Sequence, residues 1–214
     1  MLKADLHIHS EYSMDCDVPL EKIIARCLEL GINCIAISDH GTAEGALKMQ
    51  SIAPFLVIVA EEILTPQGEI MGMFLKETIP SNQPLPDVIA SIRAQGGLVC
   101  AQHPFDTIIR PGLGQKAVEE IAGQLDLVEV FNARSTLAQS SKKALRFAQK
   151  HHLPGSAGSD AHTLGEIGNA CIEMPEFTDQ KSFLEALSQG RVCGHLTGPF
   201  IHLNSVAKIL KRKR

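Results

Sequence analysis

The chain contains no tryptophan and a single tyrosine, and only 4% of its residues are aromatic. A core built from it is therefore aliphatic, made of Ala, Ile, Leu and Val. Basic charge is scarce as well: 20 Lys and Arg stand against 24 Asp and Glu, a formal net charge of −4. A large nucleic-acid footprint requires clustered Lys and Arg, so this balance argues against one. The exception is the basic end KILKRKR, which reads as a solvated terminus. No stretch reaches the roughly 18 apolar residues of a membrane span, and the opening MLKADLHIH lacks an apolar leader region, so neither a span nor a secretory signal is expected. No C-x-x-C pair occurs among Cys16, Cys27, Cys34, Cys100, Cys171 and Cys193. Cys34 and Cys100 sit inside apolar runs, as reduced core thiols do, and a cytoplasmic location is expected.

What is present is an ordinary globular pattern of 214 residues, 44% hydrophobic and 21% charged, read as one domain over 1–205 with a basic tail at 206–214. Strand-like and helix-like segments alternate. After the opening strand, PLEKIIARCLELG has apolar residues at helical spacing, Pro19 near its start and Gly31 as a stop. INCIAISD reads as a short buried strand, AEGALKMQSIA as a brief helix, and FLVIVAEEIL and GEIMGMFL as strands joined by the turn TPQG. The helix LPDVIASIRAQGG, strand LVCAQH, helix QKAVEEIAGQL, strand LVEVFNA, helix AQSSKKALRFAQKHH, short strand PGSAGSD and helix DQKSFLEALSQG follow. This order predicts an α/β fold with a parallel sheet and right-handed crossover helices.

Polar residues gather where these strands end. In DLHIHS, plain alternation puts His7 and His9 on one face of a strand, with Leu6 and Ile8 on the other, so that the two imidazoles can share one metal ion. Asp39 and His40 terminate INCIAIS, Glu61 and Glu62 terminate FLVIVA, His103 terminates LVCAQ, and Asp160 and His162 follow GSAGS. In a β/α barrel these ends meet on one face, where the chemistry of that architecture collects. Each residue alone is commonplace, but the joint set of imidazoles and carboxylates is that of a metal site.

The ordered motifs DLHIHS, ISDHG, VAEEI, QHPF, EVFNAR and SAGSDAH resemble those of the PHP (polymerase and histidinol phosphatase) superfamily, and they span residues 5–162. The resemblance implies a distorted (β/α)7 barrel, two or three divalent metals (zinc, manganese or iron) and phosphoester hydrolysis by a metal-bound hydroxide. It implies His7, His9, Glu62 and Asp160 as ligands of a first metal, with Glu62 bridging, His103 as a ligand of a second, and Asp15, His40 and His162 as ligands of a third. Family members carry His or Asp at the position of Asp15. Many also supply a His to the second metal from the strand after the bridging Glu. GEIMGMFL contains none, and Glu69 is either its substitute or a solvated hairpin residue.

The remaining candidates have two readings each. Arg134 either reaches a substrate phosphate or pairs with a carboxylate at a strand end. Glu61 points away from Glu62 and reads as a supporting or surface residue, and Asp39 as a group that orients an imidazole. His151 and His152 at a helix end, Cys16, and His195 and His202 near the C-terminus are read as structural. The catalytic assignment is thus Asp160, Glu62 and Arg134. The substrate is a small phosphorylated molecule or short nucleotide, with no membrane and no obligate protein partner. Histidinol-phosphate phosphatase, a nuclease or phosphodiesterase, and a non-catalytic metal-binding module are the alternatives.

Overall fold

The computed structural model describes residues 1–107, 111–135 and 137–198. The basic tail and His202 lie outside the described residues, as does part of the loop FDTIIRPGLGQ. Among these described residues nine strands form one sheet in the order β7-β6-β5-β4-β3-β2-β1-β8-β9. They are β1 (Leu2–Ile8), β2 (Cys34–Ile37), β3 (Leu56–Thr65), β4 (Gly68–Met73), β5 (Leu98–Ala101), β6 (Leu127–Asn132), β7 (Gly155–Gly158), β8 (Ala170–Met174) and β9 (Arg191–Gly194). The helices are α1 (Leu20–Glu29), α2 (Glu44–Ile52), α3 (Leu85–Ala94), α4 (Gly114–Glu120), α5 (Ala138–His151) and α6 (Gln180–Ser188).

The sheet is mixed, which corrects the all-parallel expectation. β1–β2, β2–β3, β5–β6 and β6–β7 are parallel. β4 is antiparallel to both β3 and β5, because two residues between Thr65 and Gly68 leave room for a hairpin and not for a crossover. β8 and β9 extend the other edge antiparallel. These last two strands, absent from the sequence reading, are only five and four residues long.

Two apolar layers hold the sheet. Ile35, Ile37, Val57, Val59, Val99 and Val128 pack outward against Ile23 and Cys27 of α1, Met49 of α2, Val88 and Ile92 of α3, and Phe147 of α5. Ala4, Cys34, Ala36, Ile58, Met71, Met73, Cys100 and Leu127 fill the interior, where Phe183, Ala186 and Leu187 of α6 join them. Each fully buried aliphatic side chain contributes about 1.5–3 kcal/mol. Gly31 ends α1 as its sequence suggests, adopting a φ of 65° just past the helix. All six cysteines are free and five are buried.

The ring of strands closes where the end of β7 meets the end of β1. Asp160 N donates to His7 O at 2.7 Å and His9 N to Ala161 O at 3.0 Å, stitching the end of β7 to the end of β1. Gly158 permits this approach, since a Cβ there would stand 2.7 Å from the His7 nitrogen. Among the described residues no helix is long and apolar enough to cross a membrane.

Candidate metal centre

The strand ends meet at this closed end. A β-bulge between Asp5 and Ile8 sets up the first of them: three residues of β1 span what two of β2 span, from Ile35 to Ile37. Plain alternation is thereby broken, correcting the expected pairing of Leu6 with Ile8. Leu6 packs in the interior with Leu2 and Ala4, whereas Ile8 joins the outer layer. His7 and His9 are both buried, with their Nε2 atoms 3.2 Å apart.

Around those nitrogens stand two carboxylates. Glu62 lies 3.4 Å from His7 Nε2 and 3.3 Å from His9 Nε2, and Asp160 Oδ1 lies 3.8 Å and 3.3 Å from the same atoms. Ligands about 2.0–2.1 Å from a tetrahedral cation are separated from one another by roughly 3.3 Å. His7, His9 and Asp160 thus stand at a spacing a shared cation could use, and Glu62, with Oε1 toward His7 and Oε2 toward His9, flanks that group and forms another with His7 and His103.

The other candidates continue the ring. His103 Nε2 is 2.9 Å from Glu62 Oε1. His40 Nδ1 is 3.4 Å from both Glu62 and Glu69. Asp15 Oδ2 is 2.8 Å from His162 Nε2 and 3.7 Å from His40 Nε2. Among the described residues, nine candidate ligand side chains form four overlapping groups: His9, Asp15, His40 and His162; His7, Glu62 and His103; His7, His9 and Asp160; His40, Glu62 and Glu69. Glu69 is buried, which disfavours the solvated-hairpin alternative. It belongs to this end because β4 runs antiparallel and so brings its beginning, not its end, to the site.

Local backbone serves the ring. His103 has a φ of 26° and Asp160 a φ of 56°, left-handed values that a packed surrounding must enforce. His162 donates from Nδ1 to the Asp160 carbonyl at 2.9 Å, which leaves Nε2 facing Asp15. Burial favours the uncharged form of every group here, and the close pairs decide the outcome. At His7, burial is outweighed by the Glu62 and Glu129 charges, which push its pKa up to about 10. At Asp15 and Glu62, burial is overcome by neighbouring histidines, which hold both carboxyls well below their usual range. At His162, burial and the charge on His9 depress the imidazole.

Glu61 and Asp39 stand differently from their sequence readings, Arg134 takes the second of its two, and Cys16 is structural as read. Glu61 is neither at the surface nor in the ring: it is buried on the opposite face of β3, where it accepts the Ile79 amide at 2.9 Å. Asp39 holds Ser10 through its amide (2.6 Å) and hydroxyl (2.7 Å), fixing the chain after His9 in place of an imidazole. Arg134 is buried with Nε 3.3 Å from Glu166 and Nη1 3.4 Å from the Asp160 carbonyl, which supports the ion-paired alternative. Cys16 points its thiol at the carbonyls of His9 and His162, 3.5 Å from each. His195 is exposed and apart from the ring. His151 pairs with Glu119 at 3.0 Å.

Sequence reasoning gave no role to Glu129, Asn132 or Asp5. Glu129 accepts from His7 Nδ1 at 2.9 Å, and Asn132 donates to Asp160 at 2.9 Å. Asp5 accepts the amides of Ser159 (2.8 Å) and Gly168 (3.0 Å). Their presence inside quoted motifs was the available signal, but a partner on another strand is visible only once the sheet is assembled.

Comparison with known proteins gives this ring a context. A PHP domain family model matches residues 5–62 and a PHP-associated model matches residues 139–192. One uncharacterized protein of Methanocaldococcus jannaschii is 35% identical over 184 residues, covering 84% of this chain and 73% of that protein. Another from the same organism is 36% identical over 145 residues, covering 62% and 82%. Among solved structures, a two-domain protein of Bacteroides vulgatus containing a predicted PHP-like metal-dependent phosphoesterase superposes with a TM-score of 0.73 at 17% identity, over 98% of this chain and 69% of that one. A candidate metal-dependent phosphoesterase of Bifidobacterium adolescentis gives 0.66 at 18% identity, over 88% and 96%. Seven of the nine ring residues, all but Glu69 and His103, lie within the stretches these models match, and a relative 35% identical covers 84% of the chain, so the protein belongs to the PHP superfamily.

Proposed function

We propose that the ring holds two or three divalent cations, zinc, manganese or iron, and that the protein hydrolyses a phosphate ester. The observation that supports this reading is the convergence of nine imidazole and carboxylate side chains into four overlapping groups, with His7, His9 and Asp160 3.2–3.8 Å from one another in one of them. Bound cations supply water activation near neutral pH and neutralise charge building on the ester. The chain's own part is to present donors and to direct approach. Glu62, within 3.4 Å of His7, His9, His40 and His103, would serve as the bridging carboxylate. His40 and Asp15 have the most exposed side chains of the ring, 21% and 10%, so the substrate enters over them. Arg134 acts through its contact with the Asp160 carbonyl, keeping the strained Asp160 backbone in place.

The substrate class this supports is a small phosphorylated molecule or short nucleotide. Two chromogenic probes, p-nitrophenyl phosphate and bis-p-nitrophenyl phosphate, separate monoesterase from diesterase. Asp160→Asn and His9→Ala are expected to lower turnover at least about a hundredfold with the fold kept. Full activity in either variant removes the ring from the reaction. A metal-loaded wild type that cleaves neither probe nor any nucleotide supports a non-catalytic metal-binding module instead.

A further inference from the structure

Behind the ligand ring, on β6, one buried side chain reaches three of its members. Glu129 Oε1 lies 2.9 Å from His7 Nδ1. Its Oε2 accepts two N–H groups, the backbone amide of His103 at 2.8 Å and Asn132 Nδ2 at 2.9 Å. Asn132 Nδ2 also donates to Asp160 Oδ2 at 2.9 Å. The orientation of the Asn132 amide is fixed independently, because its oxygen accepts the Arg134 backbone amide at 2.9 Å.

We propose that Glu129 is a positioning residue that selects the ring form of His7 able to bind a cation, and that only an acceptor at both oxygens does so. The inference rests on the metal-centre reading above. Both donors on Oε2 are N–H groups in any protonation state, so that atom must accept. A carboxylate accepts at Oε1 as well, which places a hydrogen on His7 Nδ1. The His7 Nε2 lone pair is then directed into the ring, toward His9 Nε2, Glu62 Oε1 and Asp160 Oδ1. Glutamine, nearly the same shape, has one acceptor and one NH2. With its oxygen kept on His103 N and Asn132 Nδ2, the NH2 faces His7 Nδ1 and favours the form with hydrogen on Nε2. That hydrogen points into the ligand position. The same carboxylate braces His103 at its φ of 26° and, through Asn132, the Asp160 carboxylate.

The test compares wild type, Glu129→Gln and Glu129→Asp after loading with zinc. It reads moles of zinc per chain, zinc affinity by competition with a chelating dye, far-UV circular dichroism, and the ring nitrogen shifts of His7 in 15N-histidine-labelled wild type, assigned by difference from His7→Gln. Glu129→Gln is expected to keep the wild-type dichroism while losing a zinc ion or about 10- to 100-fold in affinity. Glu129→Asp, still an acceptor at both oxygens, is expected to recover part of that loss. In wild type, His7 is expected to carry its hydrogen on Nδ1 and zinc on Nε2. Equal zinc affinity in wild type and Glu129→Gln overturns the proposal. Should Glu129→Gln fail to fold, the wild-type shifts decide it: a hydrogen on Nε2 overturns it equally. If wild type itself takes up no zinc, manganese or iron, the metal-centre reading has failed instead.

Discussion

Glu61 and Glu62 are neighbours in sequence with opposite electrostatic fates. Both are buried, but Glu62 faces His7, His40 and His103, whose pull overcomes burial and lowers its pKa. Glu61 has the Ile79 amide, and burial pushes its carboxyl up to about 7 from an ordinary 4.5. A raised carboxyl pKa means the folded state holds the proton more tightly, so the contribution of Glu61 to stability is complete below pH 4.5 and is lost as pH rises through about 7. Glu61→Gln keeps an acceptor for Ile79 N and removes the charge. Urea unfolding should therefore find it about 2–3 kcal/mol more stable than wild type at pH 8 and nearly equal at pH 4. An unchanged difference between the two pH values would contradict the assignment. Residue types and strand ends are enough to single out His7, His9, His40, His103 and His162 as candidates, and the fold brings all five together. The same signals are not enough to find Glu129, because its partners lie on β1 and after β5, and no spacing along the chain encodes a contact across strands.

Elements were legible where a single periodicity governs them. α1 shows its core face through Leu20, Ile23 and Cys27 and its stop through Gly31. The hairpin of β3 and β4 shows in its turn, and the reversal it makes inside a β/α alternation puts Glu69 at the site by its strand's beginning. The bulge in β1 left no mark in composition, since one extra residue in seven preserves the apolar–polar pattern. At the end of α5, two histidines look alike in sequence and differ in the structure. His151 is the last helical residue, whereas His152 follows it in the left-handed region with a φ of 55°. That conformation costs a side chain about 1 kcal/mol and glycine almost nothing. His152→Gly should raise the unfolding free energy by about 0.5–1 kcal/mol, measured by urea titration, with the metal content unaltered. A loss of stability would show that His152 makes contacts beyond its role as a cap.

At the scale of the molecule, a nine-stranded mixed sheet is closed by the β7–β1 stitch, and that closure is what converts scattered motifs into one ring. The order of motifs was enough for the family. Strand direction was not, because alternation of strands and helices reads the same whether or not one strand is reversed. With four carboxylates and five imidazoles in contact, the ring resists being empty at high pH, where the histidines lose the protons that offset the carboxylates. His7, raised to about 10, contributes stability that is complete below its ordinary 6.5 and is lost as pH rises through 10. Cation binding replaces those protons and competes with them, so zinc should raise the melting temperature more at pH 8 than at pH 6. An equal shift at both values would mean that the histidines are not ligands.

The most direct test of the account is elemental analysis of protein purified without chelator, reporting moles of zinc, manganese and iron per chain for wild type and Glu62→Gln. The account predicts two or three metal ions in wild type and the loss of at least one in the variant, since Glu62 is shared by the groups containing His7, His40 and His103. Fewer than one ion in wild type, with no uptake on reloading, would contradict it and leave the ring of histidines and carboxylates without a metal to hold.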